Sequence, residues 1–298
     1  MAWLIGIYGT LSSRSHVTTL RTALVASLLS LGFLAATLTG EATVATAAAG
    51  TAAPAPAGQV FTGQAFDTCS APALSALRAW HGTSPYGALG IYIGGSNRGC
   101  SQPRLNAGWS RSAAALGWRL LPLYVGAQAP CLPASNRSAR INPRTALSQG
   151  GSEGKDAVRA AGALALAAGS PLYLDMESYH RSPACTLAVL QYTTAWSHAV
   201  RAAGYLAGFY SSADAGIADV ASAALQRSLR AVTDLPDVLW YARWDNRAST
   251  DGYHALTSSQ WAGHRRVHQY VGNTRETHGG VAMNIDRNAV DAPVAVVR

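Results

Sequence analysis

Eight short runs rich in apolar, aromatic and β-branched residues recur along the chain, at 64–66, 89–93, 120–125, 172–174, 205–210, 238–241, 267–271 and 283–285. Such runs read as strands, and eight is the number that closes an α/β barrel. Helix-like stretches at 71–80, 104–116, 153–168, 185–203 and 213–230 follow the first five, the fourth with Leu187, Leu190, Thr194 and Ala199 near a helical period. The order is therefore β-α repeated five times. After the sixth run the pattern weakens. Residues 272–281 are too few and too Gly-rich for a helical crossover, so the seventh and eighth strands are expected to form a hairpin. The expected fold is an irregular TIM-like (β/α) barrel of eight strands and about five helices, its last strands antiparallel. A doubly wound open sheet is the rival, but no G-x-G-x-x-G follows the first strand.

The 298 residues are 49% apolar and 13% charged, which suits a globular domain and not a disordered or fibrous one. Residues 1–49 read as a secretory signal. Arg14 and Arg21 precede a run of apolar and small residues at 23–38, and 45–49 offers A-x-A cleavage sites. The run is short for a membrane span and contains Ser27, Ser30, Gly32 and Thr37, so cleavage is favoured over an uncleaved anchor. No Cys precedes Cys69 and no adjacent Arg pair occurs in the leader, which argues against lipid modification and twin-arginine export. Residues 50–60, rich in Ala and Pro, read as a disordered spacer, and 61–298 as one domain. The expected location is secreted, extracellular or cell-wall associated, with no membrane contact after cleavage, as a monomer.

The formal charge is +8, and it comes from 22 Arg and the single Lys155. The Arg are spread singly apart from Arg265 and Arg266, which argues against a nucleic-acid partner. Attraction to an anionic polymer such as a cell wall is one reading of the excess; genome base composition is the other. Cys69, Cys100, Cys131 and Cys185 contain no C-x-x-C pair and in an exported chain suggest structural disulfides. Each follows one of the first four strands, and sequential barrel strands are neighbours, so Cys69–Cys100 and Cys131–Cys185 are the expected bonds.

Carboxylates are scarce, so their placement is informative. Asp67 falls after the first strand, Asp175 and Glu177 after the fourth, and Asp286 after the eighth. In α/β barrels the C-terminal ends of the strands hold the active site. Asp175 and Glu177 are two apart on an extended segment and share a face, and the eighth strand closes beside the first, which brings Asp286 near Asp67. Alone, an Asp-x-Glu also reads as a helix cap or a surface ion pair. Four crowded carboxylates instead repel, so at least one keeps its proton near neutral pH while another stays ionised, which is glycosidase chemistry. Tyr124, Tyr179, Tyr210, Trp240, Trp244 and Tyr270 sit near the same strand ends, where sugar rings could dock on their faces. Glu177 is assigned the general acid, for its reach, and Asp175 the ionised partner.

The runs Phe66-Asp67-Thr68-Cys69, Gly90-Ile91-Tyr92-Ile93-Gly94-Gly95, Leu121-Pro122-Leu123-Tyr124-Val125-Gly126-Ala127-Gln128, Tyr173-Leu174-Asp175-Met176-Glu177, Gly208-Phe209-Tyr210-Ser211-Ser212 and His268-Gln269-Tyr270 resemble the secreted bacterial glycoside-hydrolase-like family formerly known as a domain of unknown function. That family is similar in turn to the glycoside hydrolase family 25 lysozymes. The resemblance runs from about Gly63 to Asp291. It implies an irregular barrel with Asp67, Asp175, Glu177 and Asp286 in an acidic pocket, Glu177 matching the lysozyme acid and Gln269 and Tyr270 matching both families.

Other chemistries lack their residues: H-E-x-x-H, G-x-S-x-G and G-x-x-x-x-G-K-[ST] do not occur. No cofactor and no metal are expected, a calcium or magnesium ion among the four acids being the minor alternative. His180 and His268 could assist or only hydrogen-bond, and Asn136-Arg137-Ser138 fits a glycosylation pattern but reads as plain loop. The expected function is hydrolysis of a cell-wall or extracellular polysaccharide, a peptidoglycan-type glycan favoured, with Gln128 beside the aromatic residues as a substrate contact. The alternative is a catalytically silent glycan-binding or wall-remodelling accessory protein on the same barrel.

Overall fold

The computed structural model describes residues 59–133, 135–226 and 233–298. The expected signal segment and most of the expected spacer lie outside them, as do the last residues of the expected helix at 213–230.

The chain alternates β1 (Val60–Asp67), α1 (Leu74–Trp80), β2 (Tyr86–Gly94), α2 (Ala107–Ala115), β3 (Arg119–Tyr124), α3 (Ala146–Ala163), β4 (Pro171–Met176), α4 (Pro183–Ala202), β5 (Leu206–Ser212), a single π-helical turn at Ala213–Ile217 running into α5 (Ala218–Leu225), β6 (Val238–Ala242), β7 (Arg266–His278) and β8 (Val281–Pro293). The strands close in order from β1 to β8. Strands β1 to β7 run parallel, and β8 is antiparallel to both β7 and β1. The expected fold class therefore holds. The first strand already starts at Val60, which pairs with Pro293.

Strand alternation divides the core in two. Ala65, Leu121, Leu123, Tyr173, Val238 and Trp240 fill the barrel lumen, while the opposite faces pack against the helices. Helix α2 starts on Asn106, whose Oδ1 accepts from Trp109 N at 3.0 Å. Helix α4 starts on Ser182 with Pro183 in the first turn. Helix α3 begins seven residues before the expected 153. Its Gly-rich first turns look like loop, but they are helical because α4 lies close against them. A Cβ at Gly150 would overlap the Tyr192 carbonyl, and one at Gly154 would lie 2.8 Å from the Trp196 carbonyl oxygen.

Strands β7 and β8 are longer than expected and project as an arm. Register shifts between Gln269 and Thr274 bend it back along the outside of the barrel. Its far end reaches the last turn of α1, where Trp80 Nε1 donates to the Val281 carbonyl at 2.8 Å. Beneath it Glu276 accepts from Tyr86 Oη at 2.7 Å and pairs with Arg287 at 2.6 Å. The arm stands where the regular barrel would place further helices.

Both expected disulfides are present. Cys69–Cys100 ties the segment after β1 to the segment after β2, and Cys131–Cys185 ties the β3–α3 connection to the first turn of α4, with Cα separations of 5.7 and 5.9 Å. They close loops spanning 31 and 54 residues. In the chain-entropy model each stabilises by about 3–4 kcal/mol. A Cys69→Ser/Cys100→Ser variant should therefore lose about 3–4 kcal/mol in denaturant unfolding, with a somewhat larger m because the unfolded chain is no longer cross-linked. A midpoint equal to that of the wild type would show that the bond does not constrain the unfolded chain.

Candidate active site

Asp67 closes β1 and stands in register with Asp286 on β8, so both side chains enter the mouth at the C-terminal ends of the parallel strands. Asp175 enters from β4, and Glu177 follows one residue beyond that strand. Asp67 and Asp175 are 1% and 2% exposed, whereas Glu177 is exposed at the mouth. The four acids expected to share one site do share it.

Their surroundings differ. Asp67 Oδ2 accepts from Asn288 Nδ2 at 2.8 Å and Gln269 Nε2 at 3.0 Å, and Oδ1 from Tyr92 Oη at 3.2 Å. Burial, then the nearby Asp286 charge, still push its pKa to about 7 against these three donors. Asp175 Oδ1 has no hydrogen-bond partner among the described residues. Burial, followed by the charges of Glu177 and Asp67, raises its pKa well above the carboxylate range. Asp175 is thus the carboxyl least suited to the ionised role expected of it. Glu177 is reached by solvent yet ringed by protein, and burial, then the Asp286 charge, raises its pKa too. Burial also raises that of Asp286, offset by the Asn273 N–H donated to Oδ1 at 2.5 Å.

One side chain links the acids to the aromatic rim. Gln269 Nε2 holds Asp67, and its Oε1 accepts from Tyr210 Oη at 3.2 Å and Trp244 Nε1 at 3.0 Å. Trp244 is 58% exposed and lies on Gly272, where any Cβ would overlap the indole. Tyr210 and Trp244 therefore stand at the mouth, whereas Gln269 is 2% exposed and has both ends of its amide engaged there.

Of the other expected contacts, Tyr124, Tyr179, Trp240 and Tyr270 do not reach the mouth, whereas Gln128 lines the cavity there. Tyr124 points outward to α3, its Oη donating to Asp156 at 2.6 Å. Tyr270 also points outward, under the arm, donating to Gln64 at 2.9 Å. Both miss by one position of strand alternation. Tyr179 is buried against Asp219 at 2.6 Å. Trp240 points inward but lies below the acids, fully buried, its Nε1 donating to Asn288 Oδ1 at 2.8 Å. Gln128 is 1% exposed, and its amide clamps the backbone: Nε2 donates to the Asp175 carbonyl at 2.9 Å, and Oε1 accepts the Glu177 N–H at 2.7 Å. His268 is buried between the carbonyl oxygens of Ser249 and Arg243, at 2.6 and 2.8 Å, and secures the β6–β7 connection; His180 is exposed beyond Glu177.

Tyr92 and Asn288 were not among the expected site residues. Each was findable by counting in twos along a strand, Tyr92 from Gly90 on β2 and Asn288 from Asp286 on β8.

A cavity of about 290 Å³ opens on the acids, lined by Tyr92, Asn97, Gln128, Asp175, Glu177 and the Cys69–Cys100 bond. A larger groove of about 460 Å³ between α4 and α5 contains one acid, Asp219, already engaged by Tyr179, Arg181 and Thr186. The acid cluster therefore opens into the smaller cavity. Among the described residues, no group of three or more His, Cys, Asp or Glu converges as a metal cage would.

A closed β/α barrel with a carboxylate cluster at its C-terminal mouth defines a glycoside hydrolase-like class. Residues 78–290 match the model of the Rv2525c-like, glycoside hydrolase-like domain, and the chain belongs to that family. Among solved structures it is similar to the Tat-secreted protein Rv2525c of Mycobacterium tuberculosis in complex with L-tartrate, at TM-score 0.50 and 13% identity over 77% of this chain and 96% of that one. An uncharacterized B. stearothermophilus protein matches at TM-score 0.49 and 16% identity over 76% and 95%. The catalytic domain of endolysin ply40 from bacteriophage P40 of Listeria monocytogenes matches at 0.43 and 13% over 78% and 95%. At 13% identity the likeness to Rv2525c is one of fold alone. No curated protein matches the chain.

Proposed function

We propose that the protein is a secreted hydrolase of a cell-wall or extracellular polysaccharide, a peptidoglycan-type glycan favoured, with Glu177 as general acid. The observation that carries the reading is the division of labour among the four carboxyls. A general acid must hold a proton near the working pH and also reach the substrate. Glu177 combines a raised pKa with an exposed position at the mouth, whereas Asp67 and Asp175 are buried. As the glycosidic C–O bond breaks, the leaving oxygen takes the Glu177 proton, and the developing charge on the sugar carbon faces Asp67 and Asp286. Asp175 keeps its proton and presents it as a hydrogen-bond donor to the sugar, while Asp286, ionised at the mouth, takes the proton of the water that attacks the sugar carbon. The two disulfides and the leader sequence support export.

Incubation with purified peptidoglycan, and in parallel with other wall glycans, tests the reading. New reducing ends should appear with the wild type and be lost in Glu177→Gln. Glycan retention without any new reducing end would replace it with the glycan-binding accessory role.

A further inference from the structure

The connections following β2 and β3, residues 95–106 and 125–145, contain Arg98, Arg104, Arg137, Arg140 and Arg144 and not one Asp or Glu. Both lie on the mouth side of the barrel, because they leave the C-terminal ends of parallel strands. They form one wall. Asn97 Nδ2 donates to the carbonyls of Gly126 and Ala139 at 2.8 and 2.9 Å, and its Oδ1 accepts the Ala139 N–H at 2.8 Å. Arg98 stands between Asn97 and Gly99, and Arg137 next to Ser138, all three neighbours being lining residues of the acidic cavity. Arg98, Arg104, Arg137 and Arg144 are exposed, and none pairs with a described carboxylate. Arg98 Nη1 makes only a long contact to the Tyr92 carbonyl at 3.5 Å, whereas the Arg140 guanidinium is spent on the carbonyls of Pro133 and Asn136 at 2.7 and 2.9 Å. Elsewhere on the mouth face Arg181 sits on Asp219 at 2.6 Å and Arg243 near Asp245 at 3.4 Å, and Arg247 in the β6–β7 connection is the one further exposed guanidinium without a described carboxylate partner.

A one-sided cationic wall beside an acidic mouth has a chemical reason. To a neutral glycan a free guanidinium is only a hydrogen-bond donor, whereas an anionic one is repelled by whichever carboxyls of the cluster are ionised unless an opposite field holds it alongside. We infer that the polysaccharide taken by this site is anionic, and that its acidic substituents lie along the β2–α2 and β3–α3 connections on Arg98, Arg137 and Arg144. The inference rests on the proposed glycan reading and adds the charge of the substrate. Carboxylates and phosphates share the chemistry that the guanidinium groups recognise.

The test is a binding titration in the Glu177→Gln background, so that turnover plays no part. The rim variant Arg98→Gln/Arg137→Gln/Arg144→Gln is compared with Arg78→Gln/Arg119→Gln/Arg265→Gln, which removes the same charge from exposed positions at the opposite end of the barrel. The probes are soluble peptidoglycan fragments with free carboxylates, the same fragments with their carboxylates amidated, and a phosphate-bearing wall polymer. The rim variant should bind at least one anionic probe about tenfold more weakly at low salt, with a flatter salt dependence, while the control variant matches the parent. The amidated fragments should bind parent and rim variant alike. A loss confined to the free-carboxylate fragments assigns carboxylate as the source, and one confined to the wall polymer assigns phosphate. Equal losses on amidated and anionic probes, or in the control variant, would overturn the inference. Absence of wild-type turnover would fail the hydrolase reading and leave this result standing.

Discussion

Glu177→Gln should lower kcat by about 10²–10⁴-fold while KM and glycan affinity change little. Glutamine keeps the length and shape of the side chain at the mouth, so the substrate should seat as before. The amide cannot give up a proton to the leaving oxygen, so the loss falls on the bond-breaking step. The Glu177 N–H is fixed by Gln128 Oε1 at 2.7 Å, which ties the backbone and leaves the carboxyl free to work. Because burial and the Asp286 charge raise its pKa, wild-type activity should fall as pH rises through that raised value, where the acid loses its proton. The variant should not show this alkaline limb. Steady-state kinetics on peptidoglycan from pH 4 to 9 would check both statements, and undiminished turnover in Glu177→Gln would remove the acid role.

The four acids are legible in the sequence because each sits at the end of an apolar run, and barrel closure brings the first and last runs together. The aromatic rim is legible only in part. A one-residue error in register sends a side chain to the other face, which is how Tyr124 and Tyr270 come to lie outside the barrel. Gln128 shows a different limit: its sequence position is right, yet both ends of its amide serve the backbone of 175–177. The start of α3 is hidden because Gly150 and Gly154 are selected by contact with α4, and local propensity reads them as breakers. The arm of β7 and β8 could not be read from periodicity, since its course depends on bulges between Gln269 and Thr274.

Asp67→Asn should stabilise the fold at neutral pH while abolishing or strongly reducing turnover. In the folded protein the pKa of Asp67 stands at about 7 against 3.8 for a free side chain. The folded state therefore holds a proton that the unfolded chain has lost, and stability falls as pH rises from about 4 to about 7. A shift of this size corresponds to a penalty on the order of 4 kcal/mol once pH exceeds 7, shared with Asp286 because the two charges interact. Asp175, Glu177 and Asp286, all raised, act in the same direction. Glu276 acts in the opposite one. Burial would raise it, but hydrogen bonds from His278, Tyr86 and Arg287 leave its pKa lowered, so its contribution is lost as pH falls. Asparagine fits the Asp67 cradle: its oxygen can accept from Asn288 and Gln269, and its amide can donate to Tyr92, whose hydroxyl turns to accept. Urea unfolding at constant m should then show the variant gaining about 2–4 kcal/mol at pH 8 and little at pH 4, so the stability curve flattens between them. A difference that does not change with pH would mean that Asp67 carries no buried charge in the resting protein, and that the cluster is relieved elsewhere.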